Sequence, residues 1–182
     1  MHLYLVRHGE YAADEVGDEI LCQGLTERGK EQAAQTGDML RSLVPASSPL
    51  KVVSSDFKRA SDTARVIAER LELTAAHRTV SALREISDQH PHDRLRPATQ
   101  VERFFLGLCQ AEPADSTTIC VCHANIIRYA LVVLAELSRD EWEELELTYC
   151  SVSGLRVDAE GTAQVLFVGA GPDHRTRAPR DA

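Results

Sequence analysis

"LYLVRHGEY", residues 3–11, is an apolar run that stops on an arginine, a histidine and a glycine close to the N-terminus. A short continuous apolar run is the pattern of a strand covered on both faces, as in a parallel sheet. "TTICVC" (117–122) repeats it, and "LKVVS" (50–54) repeats it more weakly. Helical patterns lie between them. Phe57, Ala60, Ala64, Ile67 and Leu71 recur at three- and four-residue steps over 56–72, which predicts one apolar helix stripe. Residues 26–44 predict another helix, stopped before Pro45. A third is expected over 124–137, apolar around most of its circumference, and Val101, Phe104, Phe105 and Leu108 mark a fourth. Ser138 and Glu141 have the spacing of a capping box that introduces a short acidic helix. "SVSGLRVDAEGTAQVLFV" (151–168) reads as two strands joined by a turn at 158–161. The sum is an α/β fold, a three-layer sandwich whose mainly parallel central sheet is flanked by helices. One domain is expected over 1–168, followed by a C-terminal tail at 169–182 that lacks periodic apolar residues.

Composition narrows the function classes. The chain has 182 residues, 43% hydrophobic and 26% charged, which fits one sizeable globular core. A formal charge of −8 argues against nonspecific nucleic-acid binding, though it leaves room for a small basic pocket. The apolar stretches, such as "IIRYALVVLAEL", fall short of a membrane helix, and "MHLYLV" runs at once into charge, unlike a signal peptide. Five cysteines at irregular spacings read as reduced thiols, so a cytoplasmic location is expected.

In parallel sheets ligands bind outside the carboxyl ends of the strands. Three strand ends carry unusual residues: Arg7 and His8 after the first, Arg59 in the helix after "KVVSS", and His123 after "TTICVC". A fourth segment, "TVSALREI" (79–86), has the least readable structure of the four and offers Glu85 as a candidate for the same rim. Together these groups have a chemical logic. Arginine forks bind phosphate oxygens, and helix N-termini add backbone N–H donors. A neutral histidine keeps one ring nitrogen bare when the other is hydrogen-bonded, and that nitrogen can attack phosphorus once nearby cations offset the phosphate charge. The departing alkoxide needs a proton, a task for a carboxylic acid of raised pKa. Arginine and histidine supply the positive charge, so no metal or cofactor is expected.

The pattern resembles the histidine phosphatase superfamily, also called phosphoglycerate-mutase-like. "LVRHGE" matches its signature, "LTERGKEQAAQTG" its first helix, "SSDFKRASDTA" its second phosphate loop and "CHANIIRYA" its second histidine motif. The resemblance covers roughly residues 2 to 168, with the motifs in family order. It implies that His8 is the nucleophile that becomes phosphohistidine. It further implies that Arg7, Arg59, His123 and Ala124 bind the phosphoryl group and that Glu85 is the proton donor and then the base. Tyr11 and "CHANIIRY" look most like the subfamily of serine/threonine protein phosphatases, whose N-terminal membrane segment and tryptophan-containing assembly motif are not seen here. Its mitochondrial location is therefore not carried over. A phosphoserine or phosphothreonine protein is the first expected substrate, small phosphorylated metabolites the second and protein phosphohistidine the third. A mutase is disfavoured, because the asparagine that follows the signature in those enzymes is missing.

Plainer readings compete. Glu85 is a surface carboxylate paired with Arg84 unless the resemblance holds. Cys120, Cys122 and His123 suggest a metal site, but thiols two apart in a strand share a face, and small buried hydrophobes are the expected reading. His90 and His92 sit in a proline loop read as a polar rim, and "DEWEELE" (140–146) as a solvated helix face. Asn125 is read as a residue that helps shape the pocket through its loop. A phosphate-binding module without turnover is the reading from another class; it needs Arg7, Arg59 and His123 but neither His8 nor Glu85.

Overall fold

The computed structural model describes residues 1–12, 23–73, 77–86, 95–136, 144–158 and 162–172. The expected capping box, His90, His92, Trp142, Cys22 and most of the tail lie outside them. Six strands run in the order β3-β2-β4-β1-β5-β6: β1 (His2–Arg7), β2 (Leu50–Ser54), β3 (Arg78–Thr79), β4 (Thr117–Cys122), β5 (Val152–Val157) and β6 (Ala163–Ala170). The first four are mutually parallel, and β5 and β6 complete the sheet in antiparallel pairs. Helices α1 (Glu27–Leu43), α2 (Lys58–Arg70), α3 (Leu95–Ala111) and α4 (Ala124–Ala135) supply the outer layers.

Alternation along the central strands divides the core in two. Leu3, Leu5, Cys120 and Cys122 pack with Phe105 of α3 and Ile126, Ile127 and Leu131 of α4. Tyr4, Val6, Ile119 and Val121 face Leu40 of α1 and Ala60, Ala64 and Ile67 of α2. All six residues of β4 are buried, which is why its sequence is apolar or small at every position. Burial pushes the thiols of Cys120 and Cys122 up, so both stay protonated hydrophobes.

Register positions the ligand edge. β1 pairs with β4 from His2 and Thr117 to Arg7 and Cys122, so the next residues, His8 and His123, emerge side by side. Ser54 of β2 pairs with Val121, which brings Ser55 and the start of α2 to the same level. The loop after β1 then crosses the N-terminus of α1. Thr26 caps that helix through Gly29 N–H at 3.0 Å, and a Cβ on Gly29 would lie 2.0 Å from the Glu10 carbonyl, so glycine lets helix and loop touch.

The least legible segment, 79–86, becomes the tail of β3, a single 3-10 turn at Ser81–Leu83 and an extended Arg84. β6 runs to Ala170, two residues past the domain end expected at 168, because Val152 of β5 still pairs with Ala170. Gly169 there has φ 71 and approaches the Glu146 carbonyl, a conformation without a side-chain pattern to announce it.

Candidate active site

The structure brings Arg7, His8, Arg59, Glu85 and His123 to one edge of the sheet. His8 is 3% exposed, Arg59 5% and His123 fully buried, so these polar groups lie under the surface and their partners decide their chemistry. His8 Nδ1 lies 2.9 Å from the Gly9 carbonyl oxygen. A carbonyl only accepts, so Nδ1 carries the proton and Nε2 presents its lone pair. Arg59 Nε donates to that Nε2 at 3.2 Å. Burial, with Arg59 and Arg7 nearby, lowers the His8 pKa to about 3, although the Gly9 carbonyl pulls the other way. His8 is therefore neutral at neutral pH.

His123 takes the opposite tautomer. Its Nδ1 faces Arg59 Nη2 at 3.4 Å, and a guanidinium only donates. Its Nε2 then donates to Ser55 Oγ at 3.1 Å, which also accepts from Phe57 N–H. Burial and the cations His8 (when charged), Arg59 and Arg7 hold its pKa down at about 2. The two imidazoles meet edge to face with centroids 5.1 Å apart.

Aromatic rings hold the guanidinium groups. The Arg59 carbon lies 4.8 Å from the Tyr11 ring and 4.9 Å from the Phe57 ring, and Arg7 lies 4.4 Å from the Tyr149 ring. Arg7 also donates to the Leu147 carbonyl. Thr63, one turn into α2, donates to the Arg59 carbonyl and accepts from Gly9 N–H at 3.0 Å, which ties α2 to the loop of His8. Tyr149, Phe57, Ser55 and Thr63 carry no local signal of these roles. The "SSD" and "ASDTA" flanks of Arg59 are the nearest hint, and Tyr149 offers none because the Arg7, His8 and Tyr11 side chains that it meets lie at the other end of the sequence.

Glu85 differs in setting. Its carboxyl accepts from Ile86 N–H at 3.1 Å and from Asn125 N–H, and it lies within electrostatic reach of Arg59 and Arg7. Burial outweighs all of these and raises its pKa to about 7. Arg84, the expected partner in the plain reading, pairs with Asp56 instead. Ala124 opens α4 directly after His123, whose side chain does not cap the helix, and of the first-turn N–H groups that of Asn125 goes to the Glu85 carboxyl. No group of three or more histidine, cysteine or acidic side chains with metal-binding geometry occurs among the described residues. A separate cavity of about 500 Å³ lies beside the β2 edge, lined by Val52, Val53, Phe104 and Leu108 among others, and none of the five site residues borders it.

The model of the histidine phosphatase superfamily (branch 1) matches residues 3–90 and 91–168. Among curated relatives, the mitochondrial serine/threonine-protein phosphatase Pgam5 of Drosophila willistoni is 31% identical over all of this chain and 68% of its own length. The Pgam5 of Drosophila grimshawi is 29% identical over 92% of this chain and 62% of its own. The chain thus spans about two thirds of these relatives or slightly less. A mycobacterial glucosyl-3-phosphoglycerate phosphatase shares the fold with TM-score 0.73 and 23% identity, over 93% of this chain and 99% of that one. The protein histidine phosphatase SixA does so with TM-score 0.71 and 17% identity, over 98% and 97%. The expected cytoplasmic location does not stand, because the curated relatives are named mitochondrial. Free thiols report a reducing environment and do not say which compartment provides it. No helix among the described residues is long and apolar enough to cross a membrane. With its family model spanning both halves of the sheet, the chain belongs to the histidine phosphatase superfamily.

Proposed function

We propose that this domain hydrolyses phosphomonoesters through a phosphohistidine on His8, without needing a metal ion, and that its substrate is a phosphoserine or phosphothreonine protein. The observation that carries the reading is the state of His8. It is a buried, neutral imidazole whose tautomer is set by Gly9 and whose bare Nε2 faces the Arg59 guanidinium. The substrate phosphate would replace that nitrogen as the acceptor of Arg59 and bring phosphorus to Nε2. Nε2 then forms the N–P bond while the ester P–O bond breaks, and the leaving oxygen takes the Glu85 proton. Water next attacks the phosphorus, Glu85 carboxylate accepts its proton, the N–P bond breaks and its electron pair returns to Nε2.

Arg7, Arg59 and the α4 N-terminus balance charge on the three non-bridging oxygens. His123 Nδ1 donates to one of them only after taking a proton, and a bound dianion favours that uptake. A Glu85 pKa near 7 suits a group that must be acid in one step and base in the next. The choice of a phosphoprotein rests on the relatives named serine/threonine-protein phosphatases. Small phosphorylated metabolites or protein phosphohistidine stand behind it, since structures of similar fold are named for both classes. A binding module without turnover would have no use for the acid of raised pKa.

Hydrolysis of p-nitrophenyl phosphate in excess chelator, wild type beside His8→Ala, tests this reading. Turnover in the wild type that disappears in the variant is expected. Equal turnover in the two would remove His8 as the nucleophile, and loss of wild-type turnover in chelator would remove metal independence.

A further inference from the structure

Glu85 is held by a small network that none of the site residues explains. Asn125 lies in the first turn of α4, and its Nδ2 donates to the Ile86 carbonyl at 3.3 Å. Its Oδ1 accepts from Arg128 Nη1 at 3.1 Å, one turn further along the same helix. A guanidinium only donates, so this contact fixes which way the Asn125 amide points and leaves Nδ2 for Ile86. Arg128 Nη2 donates to the Leu145 carbonyl at 2.8 Å, and its buried Nε meets no hydrogen-bond partner among the described residues. Leu145 stands two residues before Leu147, whose carbonyl receives Arg7. The backbone N–H of Asn125 meanwhile reaches the Glu85 carboxyl itself.

We propose that Asn125 and Arg128 are positioning residues for the proton donor, a latch by which α4 fixes the Glu85–Ile86 backbone and braces the segment that carries the Arg7 partner. The inference rests on the assignment of Glu85 as the acid. The need for a latch follows from the local structure. Glu85 follows a single 3-10 turn and an extended residue, and no strand pairing among the described residues fixes its backbone. A general acid works only within hydrogen-bond reach of the leaving oxygen, so a loose carbonyl at Ile86 translates into a misplaced proton. Arg128 acts at one remove: without it the Asn125 amide is free to turn and present oxygen to the Ile86 oxygen.

The test compares two esters in the 182-residue chain. p-Nitrophenolate leaves without needing a proton, whereas the alkoxide of β-glycerophosphate needs one. Asn125→Ala is expected to lower kcat/KM for β-glycerophosphate by roughly tenfold, part of the full effect of a general acid, and to leave p-nitrophenyl phosphate within about threefold. Arg128→Gln is expected to do the same more weakly, and both should move the alkaline limb of the β-glycerophosphate pH profile. A merely structural loss would lower both esters together with the melting temperature, and that result, or no loss on either ester, would overturn the latch. Glu85→Gln in the same assay separates the two ideas. If it is selective for the alkyl ester while Asn125→Ala is not, the latch falls alone. If Glu85→Gln shows no selectivity, the acid assignment falls and takes the latch with it.

Discussion

The phosphate cradle and the acid face the same site, but they are held by different means. His8 and His123 are placed by the main chain: parallel register sets β1 and β4 level, and each histidine is the first residue past its strand. Arg59 follows from β2 in the first turn of α2, packed between two aromatic rings. Glu85 has no such frame. It rides on an extended segment and is held by the side-chain and backbone amides of Asn125 on α4, whose orientation Arg128 sets in turn. The cradle therefore inherits the stiffness of the sheet, while the acid depends on a few polar contacts that each contribute about 1 kcal/mol. The difference predicts that changes on the cradle side weaken every substrate alike and that changes on the acid side discriminate between leaving groups.

The hardest test of that division is Arg59→Lys. Lysine lacks the planar fork and the ring-stacking face, so it cannot span His8 and His123 between Tyr11 and Phe57. The expected loss in kcat/KM is about 10²- to 10³-fold, equal for p-nitrophenyl phosphate and β-glycerophosphate. Steady-state kinetics on both esters reads it. A loss confined to the alkyl ester would place Arg59 on the acid side and break the comparison.

Glu85→Gln is the next largest. It keeps shape and removes the transferable proton, so in kcat/KM, which runs only as far as formation of the phosphohistidine, about 10²-fold should be lost on the alkyl ester and less than about tenfold on the aryl ester. The pH dependence has a definite sign. Glu85 donates only while protonated, so kcat/KM for the alkyl ester should fall as pH rises through about 7. That limb should be absent from the variant. A wild-type profile flat from pH 6 to 8 would mean that the carboxyl is already ionised.

This same contrast explains what the sequence disclosed. Arg7, His8 and His123 were legible because apolar strands announce themselves and the residues that end them are fixed by register. Arg59 was legible because a helix follows β2 almost at once. The site's lining was not: Tyr149 reaches Arg7, and Ser55 reaches His123, through contacts that no local periodicity encodes. Glu85 could be placed only by resemblance, since a 3-10 turn and an extended residue leave no repeating pattern. The compartment was misjudged for a related reason: cysteine usage carries the redox state and nothing about address.

The smallest expected effect concerns stability, and here the two sides have opposite signs. His8 and His123 are held neutral, with pKa values near 3 and 2 against an unfolded value near 6.5. Below pH 6.5 the unfolded chain takes up protons that the folded site refuses, so the cradle loses stability as pH falls. Glu85 behaves in reverse. Its folded pKa near 7 lies above the unfolded 4.5, so the folded state binds the extra proton between those values and stability declines as pH rises through that window. Glutamine removes this titration. Glu85→Gln should therefore gain about 1–2 kcal/mol on wild type between pH 4 and pH 8, below the full value of the shift because solvent screens a partly exposed carboxyl. Urea unfolding of both proteins at the two pH values reads the difference. A gain that appears only at pH 8 marks Glu85 as an acid whose function is retained against the interest of the fold. An offset equal at both pH values would mean that burial leaves the carboxyl in its ordinary range, and the alkaline limb of the rate profile would then belong to another group.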